Sequence, residues 1–391
     1  MITPTQAEAL IQRTSLQLGV ETVALSESLN RMLAEDLQAD TDLPPFDRVM
    51  MDGIALRYAD IEKGIRSFPI QGVQRAGQAA LTLIDEGTCF EIMTGAVCSI
   101  ACDTVVPYEH IRIEDGVAHI DILPVAKGKN IHKQGSDKKA GALLVAAGSI
   151  VTPAEIGIAA SIGKSTLSVQ RLPRILICST GDELIDISGT PLPHQIRRSN
   201  VYALQALIKS VGIEADSIHL ADEKNILLEA LEKALNSYDV LILSGGVSKG
   251  KFDLIPEVLT ALGVDTIFHT IAQRPGKPMW FGTSPRTTVF ALPGNPVSTL
   301  ACAARYVLPW LKAQMGIESM DILIPSQETI VPHEKLTLFS PVRVSANLSL
   351  QAHLIRNQGS GDFSGLSGMT GFIEVEPGTE SPSHFRYFPL G

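Results

Sequence analysis

The sequence predicts a multi-domain α/β protein. A three-layer α/β/α domain fills the second half, after a mixed α+β region with a β insertion and before a small β domain. Three observations predict this. From Arg174 onward, short apolar runs alternate with amphipathic helical stretches, the texture of a parallel sheet with helices on both faces. Between about Ile65 and Ile122, short β runs are punctuated by Gly and Asp. After about Ser319 the chain returns to short strands and turns.

The bulk numbers agree. A chain of 391 residues has room for two to four domains. Its 45% hydrophobic and 19% charged content suits a soluble protein with a sizeable core. A net charge of −10 argues against nucleic acid as a partner, although a local nest of amides and lysines can still hold a small anion. No apolar run approaches the ~20 residues of a membrane helix, and residues 1–17 lack the basic-then-apolar pattern of a secretory signal. Five cysteines form no zinc pair or disulfide ladder, and Cys98 and Cys102 read as packed thiols in a reducing cytoplasm.

In chain order, residues 4–18 read as a helix capped by Thr3 or Thr5, and 26–37 as a second, short one. Pro44–Pro45 break the pattern and open a new unit. The segment "TPAEIGIAASIG" is a capped helix ending at Gly163, placed to rejoin the N-terminal region. "RILICST" is a buried strand. "NVYALQALIKSVG" is a helix capped by Asn200, with Val201, Leu204, Leu207, Ile208 and Val211 on one face. A strand at 215–223, a helix at 225–236 and the strand "DVLILSG" follow. A helix after Asp253, strands near Thr266 and at "TTVFALPG", and a helix from Pro296 complete the alternation.

Ligands of open parallel sheets bind at the C-terminal strand ends. Four such ends carry glycine, hydroxyl or carboxylate: Gly181–Asp182–Glu183; Asp222; Gly245–Gly246 with Ser248 and Asp253; and Asn295–Pro296 with Ser298. Glycine pairs admit an anion close to backbone amides, and Lys277 in "QRPGKP" offers a point charge to an oxyanion. Glu183, Asp222 and Asp253 are candidate ligands for a divalent ion held against phosphate oxygens. "GGVSKG" is not a Walker loop, because no Ser or Thr follows Gly250–Lys251.

Taken in order, "STGDEL", "SGGVS" with Asp253, "RPGKP" and "LPGNPVS" resemble the molybdopterin molybdenumtransferase family, which includes bacterial MoeA and the gephyrin E domain. "PPFDRVMMDGIALR", "IMTGA" and "NIHKQGSDKKAG" match further landmarks, so the resemblance spans the chain. It implies a discontinuous N-terminal domain (1–42 and 133–170), an inserted β domain (43–132), a molybdopterin-binding domain (171–317) and a C-terminal β domain (318–391). It implies an elongated homodimer whose cleft lies between the α/β domain of one subunit and the insertion of the other. The implied reaction inserts molybdenum from molybdate into adenylylated molybdopterin and releases AMP, assisted by Mg2+. The molybdopterin adenylyltransferase and molybdoenzyme apoproteins are implied partners.

By position, the resemblance gives Glu183, Asp182, Asp52 and Asp253 catalytic roles, with Asp222, Asp253 and Glu183 beside phosphate and metal. Arg274, Lys277, Pro278, Ser298 and Ser360 fall near the oxyanion, and Gly245, Gly246, Ser248 and Asn295 along the substrate. Asp52, Thr94 and Asp137 would face a partner's cleft. Arg274 stands where the family commonly has lysine, His132–Lys133–Gln134 where it has an arginine-rich stretch, and Val49–Met50 where it has Ser-Ala. Two alternatives stay open: adenylylation of molybdopterin from ATP, and a scaffold that has lost catalysis.

Overall fold

The protein is described by a computed structural model covering residues 1–247, 253–318, 320–326, 328–346, 350–378 and 383–391, without the side chain at 346. The chain forms two units. The first comprises Met1–Val23, Ser28–Ala34 and Ser168–Gly391, and the second comprises Ala24–Glu27 and Glu35–Leu167.

The first unit is built on a six-stranded sheet. In chain order its elements are β1 (Ile175–Thr180), α1 (Asn200–Lys209), β2 (Ala215–Leu220), α2 (Lys224–Ser237) and β3 (Val240–Ser244). Then come α3 (Ile255–Ala261), β4 (Asp265–His269), β5 (Trp280–Thr283), β6 (Thr288–Leu292) and α4 (Pro296–Cys302). A π-helical turn, Ala303–Val307, joins α4 to α5 (Leu308–Gln314). The strand order is β2-β1-β3-β6-β5-β4. The first four are parallel; β6-β5 and β5-β4 are antiparallel.

The expected parallel sheet is thus mixed, and β5 was not expected. The cause is local. Ser284 N–H donates to Thr287 O at 2.8 Å and Ser284 Oγ accepts from Thr287 N–H at 3.1 Å, closing a tight turn that forces β5 and β6 antiparallel.

Alternation along the strands splits the core in two. Ile175, Ile177, Val240 and Ile242 pack with Val201, Leu204, Leu207 and Ile208 of α1. Leu176, Cys178, Leu241 and Leu243 face the other way, onto Leu227 and Leu231 of α2 and Val258 and Leu259 of α3. The chain runs from β1 outward to β2, then returns across β1 to β3. The adjoining ends of β1 and β3 are therefore the switch point at which loops diverge and leave a crevice.

The N-terminal helix spans Pro4–Gln12, with a Thr3/Gln6 capping box. It stops short of residue 18 because Thr14 Oγ1 donates to Ile11 O at 2.7 Å, taking a carbonyl the next turn would need. Ala7 and Ile11 enter the first core. The expected helix at 26–37 is absent; only a 3-10 turn at Leu25–Glu27 forms, and Asn30 has a left-handed φ of 62° that no helix continues through. The tail forms a second sheet, ordered Gln273–Arg274, Thr337–Ala346, Gly371–Val375, His384–Pro389 and Ile322–Pro325, with Leu350–Leu354 beside Thr337–Ala346. Buried Arg305 ties three segments of this unit, donating to Glu8 Oε2 at 2.9 Å and Glu374 Oε2 at 3.1 Å.

The second unit carries another six-stranded sheet, ordered Thr104–Pro107, Gly53–Leu56, Cys89–Ile92, Ser67–Gln74, Val117–Ile120 and Ile111–Glu114. Its longer helix, Pro153–Ser161, has a Thr152/Glu155 capping box, and Gly163 follows at φ 75° as the terminating residue.

Candidate functional site

The crevice at the β1/β3 switch point is shaped by glycines. Gly181, after β1, has φ 134°, and a Cβ there would meet Glu183 Oε2 at 2.8 Å, so the Glu183 carboxylate folds back over the turn. Gly245, after β3, has φ 104°, and a Cβ would lie 2.8 Å from Thr180 O. A Cβ on Gly246 would meet Ile255 Cγ1 at 2.8 Å. The Gly245 N–H is donated to Leu292 O at 3.2 Å. The expectation of a ligand-facing amide at Gly245 is therefore corrected: this glycine contributes close approach, not a donor. Ser248, Lys249 and Lys251 lie outside the described residues.

Around this crevice is a cavity of about 550 Å³, lined by Glu183, Asp222 and Asp253 among others. Asp182 Oδ1 accepts from Asp222 N–H at 3.3 Å. Burial raises the Asp222 pKa above the ordinary carboxylate value, and the neighbouring Asp182, Glu183 and Asp253 push it the same way; His219 partly offsets this. Four acidic residues thus share one electrostatic neighbourhood. Among the described residues, no three His, Cys, Asp or Glu side chains converge as a metal site. The acids offer hard oxygen donors but not a finished coordination sphere. That suits a small divalent ion taking part of its shell from ligand phosphates.

A second cavity, of about 1110 Å³, shares Pro278, Pro293 and Asn295 with the first. Among the described residues, its lining contains no Asp or Glu and includes Arg274, Lys277, Arg356, Ser298 and Ser360. Gly276 (φ 90°) permits the loop that carries Lys277, since a Cβ would meet Cys302 Sγ at 2.5 Å. Gln273, 1% exposed, braces that loop: its Nε2 donates to Pro275 O at 3.1 Å and Gly276 O at 3.3 Å, while its Oε1 accepts from Tyr306 Oη. Asn295 Nδ2 donates to Ser360 Oγ at 3.0 Å, and Val297 N–H donates to Ser360 O at 3.1 Å. These bonds fix the tail segment against the start of α4.

Residues 2–163 match the family described as "MoeA N-terminal region (domain I and II)", and residues 176–313 match a "Probable molybdopterin binding domain". A curated molybdopterin molybdenumtransferase from Synechocystis is 39% identical over 398 residues, covering 100% of this chain and 98% of the relative. The chain belongs to the molybdopterin molybdenumtransferase family. A second relative of that name, from Nostoc, is 33% identical over 316 residues, covering 79% of this chain and 72% of its own. Two solved MoeA structures from Pyrococcus horikoshii superpose with TM-scores of 0.84 and 0.81 at 28% and 25% identity, covering 100% and 99% of this chain and 99% and 98% of theirs.

In this MoeA-family chain, most sequence-predicted residues of the first unit line one or both cavities. Asp182 reaches them through Asp222. The remaining three lie in the second unit. There Asp52 Oδ1 accepts from Thr94 N–H at 2.6 Å and Thr94 Oγ1 at 2.7 Å, which holds the Asp52 carboxyl below its usual pKa. Asp137 pairs with His132 Nε2 at 2.7 Å.

Sequence reasoning misplaced Asn200. It is the first helical residue of α1, not its cap; Ser199 occupies the cap position. Its Nδ2 instead donates to Ser244 Oγ (2.9 Å), Gly294 O (2.7 Å) and Thr299 Oγ1 (3.1 Å), joining the ends of β3, β6 and α4 at the cavity wall. An Asn before an apolar helix is the usual cap pattern, so the sequence held no warning. Arg197, Arg198 and Arg356 were also missed, although the "IRRSN" stretch signalled positive charge. Thr180 Oγ1, Asn200 Oδ1 and Arg198 Nε are buried without partners, all on residues lining the acidic cavity. Such a concentration of unsatisfied polar atoms is uncommon in a packed interior and marks a working site.

Proposed function

We propose that this protein is a molybdopterin molybdenumtransferase, inserting molybdenum from molybdate into adenylylated molybdopterin with release of AMP. One observation carries the reading. Two abutting cavities of different character meet at Pro278, Pro293 and Asn295: one holds Glu183, Asp222 and Asp253 alongside Arg197 and Arg198, and the described lining of the other carries Arg274, Lys277 and Arg356 with no Asp or Glu. A reaction joining a nucleotide-activated pterin to a dianion needs both. The first cavity, at about 550 Å³, lies in the usual range for small-molecule sites.

In this reading Gly181, Gly245 and Gly246 let the pterin pyrophosphate approach the backbone closely. Lys277, Arg274 and Arg356 neutralise molybdate, and Ser298 and Ser360 orient it. Fixed cations already in place need no reorganisation as charge shifts. Holding both reactants across one rim supplies proximity, on the order of 7–11 kcal/mol in favourable cases. Glu183, with Asp182 beside it, handles protons at the phosphate. Glu183, Asp222 and Asp253 would hold Mg2+. When bound, Mg2+ would neutralise pyrophosphate charge and help AMP to leave.

The same reading includes a homodimer in which Asp52, Thr94 and Asp137 complete a partner's cleft. It also includes hand-over from the molybdopterin adenylyltransferase and to molybdoenzyme apoproteins, in the cytoplasm. No described helix is long and apolar enough to cross a membrane, and all five cysteines are free. Sedimentation velocity tests the dimer.

The test of the reaction is AMP release by the full chain from adenylylated molybdopterin, Mg2+ and molybdate. Loss of release in Glu183→Gln, with an unchanged melting temperature, is expected. No release by the wild type, with Glu183→Gln indistinguishable from it, refutes the reading. AMP incorporation into free molybdopterin from ATP favours the adenylylation alternative.

A further inference from the structure

Among the further polar residues on the wall of the acid-free cavity is His333, which neither the motifs nor the comparisons single out. It sits in the turn before Thr337–Ala346, within "VPHEKL". Its Nδ1 accepts two backbone hydrogen bonds, from Lys335 N–H at 3.0 Å and Leu336 N–H at 3.2 Å. Backbone amides only donate, so Nδ1 must present its lone pair. The hydrogen-bond network thereby fixes the tautomer: the ring proton sits on Nε2. Among the described residues, Nε2 has no hydrogen-bond partner. The ring therefore spends one nitrogen on its own turn and leaves one N–H donor, on the wall of a cavity that offers no carboxylate to take it.

We propose that His333 is a further oxyanion-binding residue, donating its Nε2–H to a tetrahedral dianion of the molybdate class held by Lys277 and Arg274. The inference rests on the proposed function, which assigns the oxyanion to this cavity. A neutral imidazole adds a directed donor without adding charge. Its orientation is set before the ligand arrives, because the two backbone amides hold the ring.

Two substitutions separate the halves of the ring. His333→Asn keeps an acceptor oxygen near Nδ1, so the turn survives, but it removes the far donor. His333→Gln carries an amide nitrogen out to about the Nε2 position but leaves the turn amides without their acceptor. The full chain is titrated with sodium molybdate by calorimetry and assayed for AMP release against molybdate concentration. His333→Asn is expected to weaken molybdate binding and raise its KM about ten-fold, the scale of one hydrogen bond to a charged acceptor, with melting unchanged. His333→Gln is expected to melt lower yet bind molybdate within about three-fold of wild type. A purely structural role gives the reverse pattern, with His333→Asn like wild type and His333→Gln impaired, and overturns the proposal. Lys277→Ala separates the two levels. If it too leaves molybdate binding untouched, the cavity is not the oxyanion site and the underlying reading fails. If Lys277→Ala weakens binding while His333→Asn does not, only the role of His333 falls.

Discussion

Gly245→Ala is the sharpest test of how the site is built. The new Cβ would lie 2.8 Å from Thr180 O and 3.1 Å from Thr180 Oγ1, at a φ of 104° that L residues rarely adopt. The backbone strain alone costs about 1–3 kcal/mol. The overlap is hard to relieve from the Thr180 side, because β1 is paired with β2 through Thr180 and with β3 through Ser179. The loop must yield instead, moving the residues that line the acidic cavity. If about 2.7 kcal/mol of this falls on the bound transition state, the rate drops about a hundred-fold, at 1.36 kcal/mol per decade. The assay is AMP release, with circular dichroism and melting to show that the sheet persists. Gly148→Ala is the control. It has φ 87° with nothing within 4 Å of the added Cβ, so it carries strain without a clash, and it lies in the second unit. It should lower stability by about 1 kcal/mol and leave AMP release near wild type. Gly245→Ala releasing AMP within two-fold of wild type would refute the claim that close approach at β3 shapes the site.

Three further outcomes follow from the same geometry. Asn200→Ala removes the shared donor from Ser244, Gly294 and Thr299, and about 1–2 kcal/mol of loop anchoring with it; steady-state kinetics should show about a ten-fold loss in AMP release. Asn200→Asp should be worse, since it turns a carboxylate toward the Gly294 carbonyl, which only accepts. Asp222 has a raised pKa in the folded state, so its protonated form favours folding; that contribution is present at low pH and lost as pH rises through the raised value. Mg2+ should therefore raise the melting temperature more above the raised value than below it, and Asp222→Asn should flatten that pH dependence in a thermal-shift series. Arg305→Met leaves Glu374 buried, with Arg386 at 3.7 Å as its remaining cation, and should destabilise by about 3–5 kcal/mol in denaturant melts. Burial already raises the Glu374 pKa, so the defect should shrink as pH falls and the carboxyl takes up a proton.

The sequence determined the α/β alternation and the strand ends that carry chemistry. Both follow from local rules: buried strands read as apolar runs, helices as 3.6-residue stripes, and tight strand ends demand glycine. Gly181, Gly245, Gly246 and Gly276 all hold backbone conformations or close approaches that a side chain would spoil. The tertiary structure decided what depends on partners distant in the chain. The turn at 284–287 reversed β5, which no alternation pattern foretells. Asn200, with a cap's local context, was drawn 44, 94 and 99 residues along the chain to its acceptors. Gly245 lost its free amide to Leu292, a strand away. Gathering the acids into one cavity, with Arg197 and Arg198 beside them, and leaving the neighbour's described lining free of acids is likewise tertiary: Asp222, Lys277 and Arg356 come from separate loops, and only the folded sheet edge decides which charges share a wall. Charge type is written residue by residue, whereas the field at a site is a sum over residues that folding brings together.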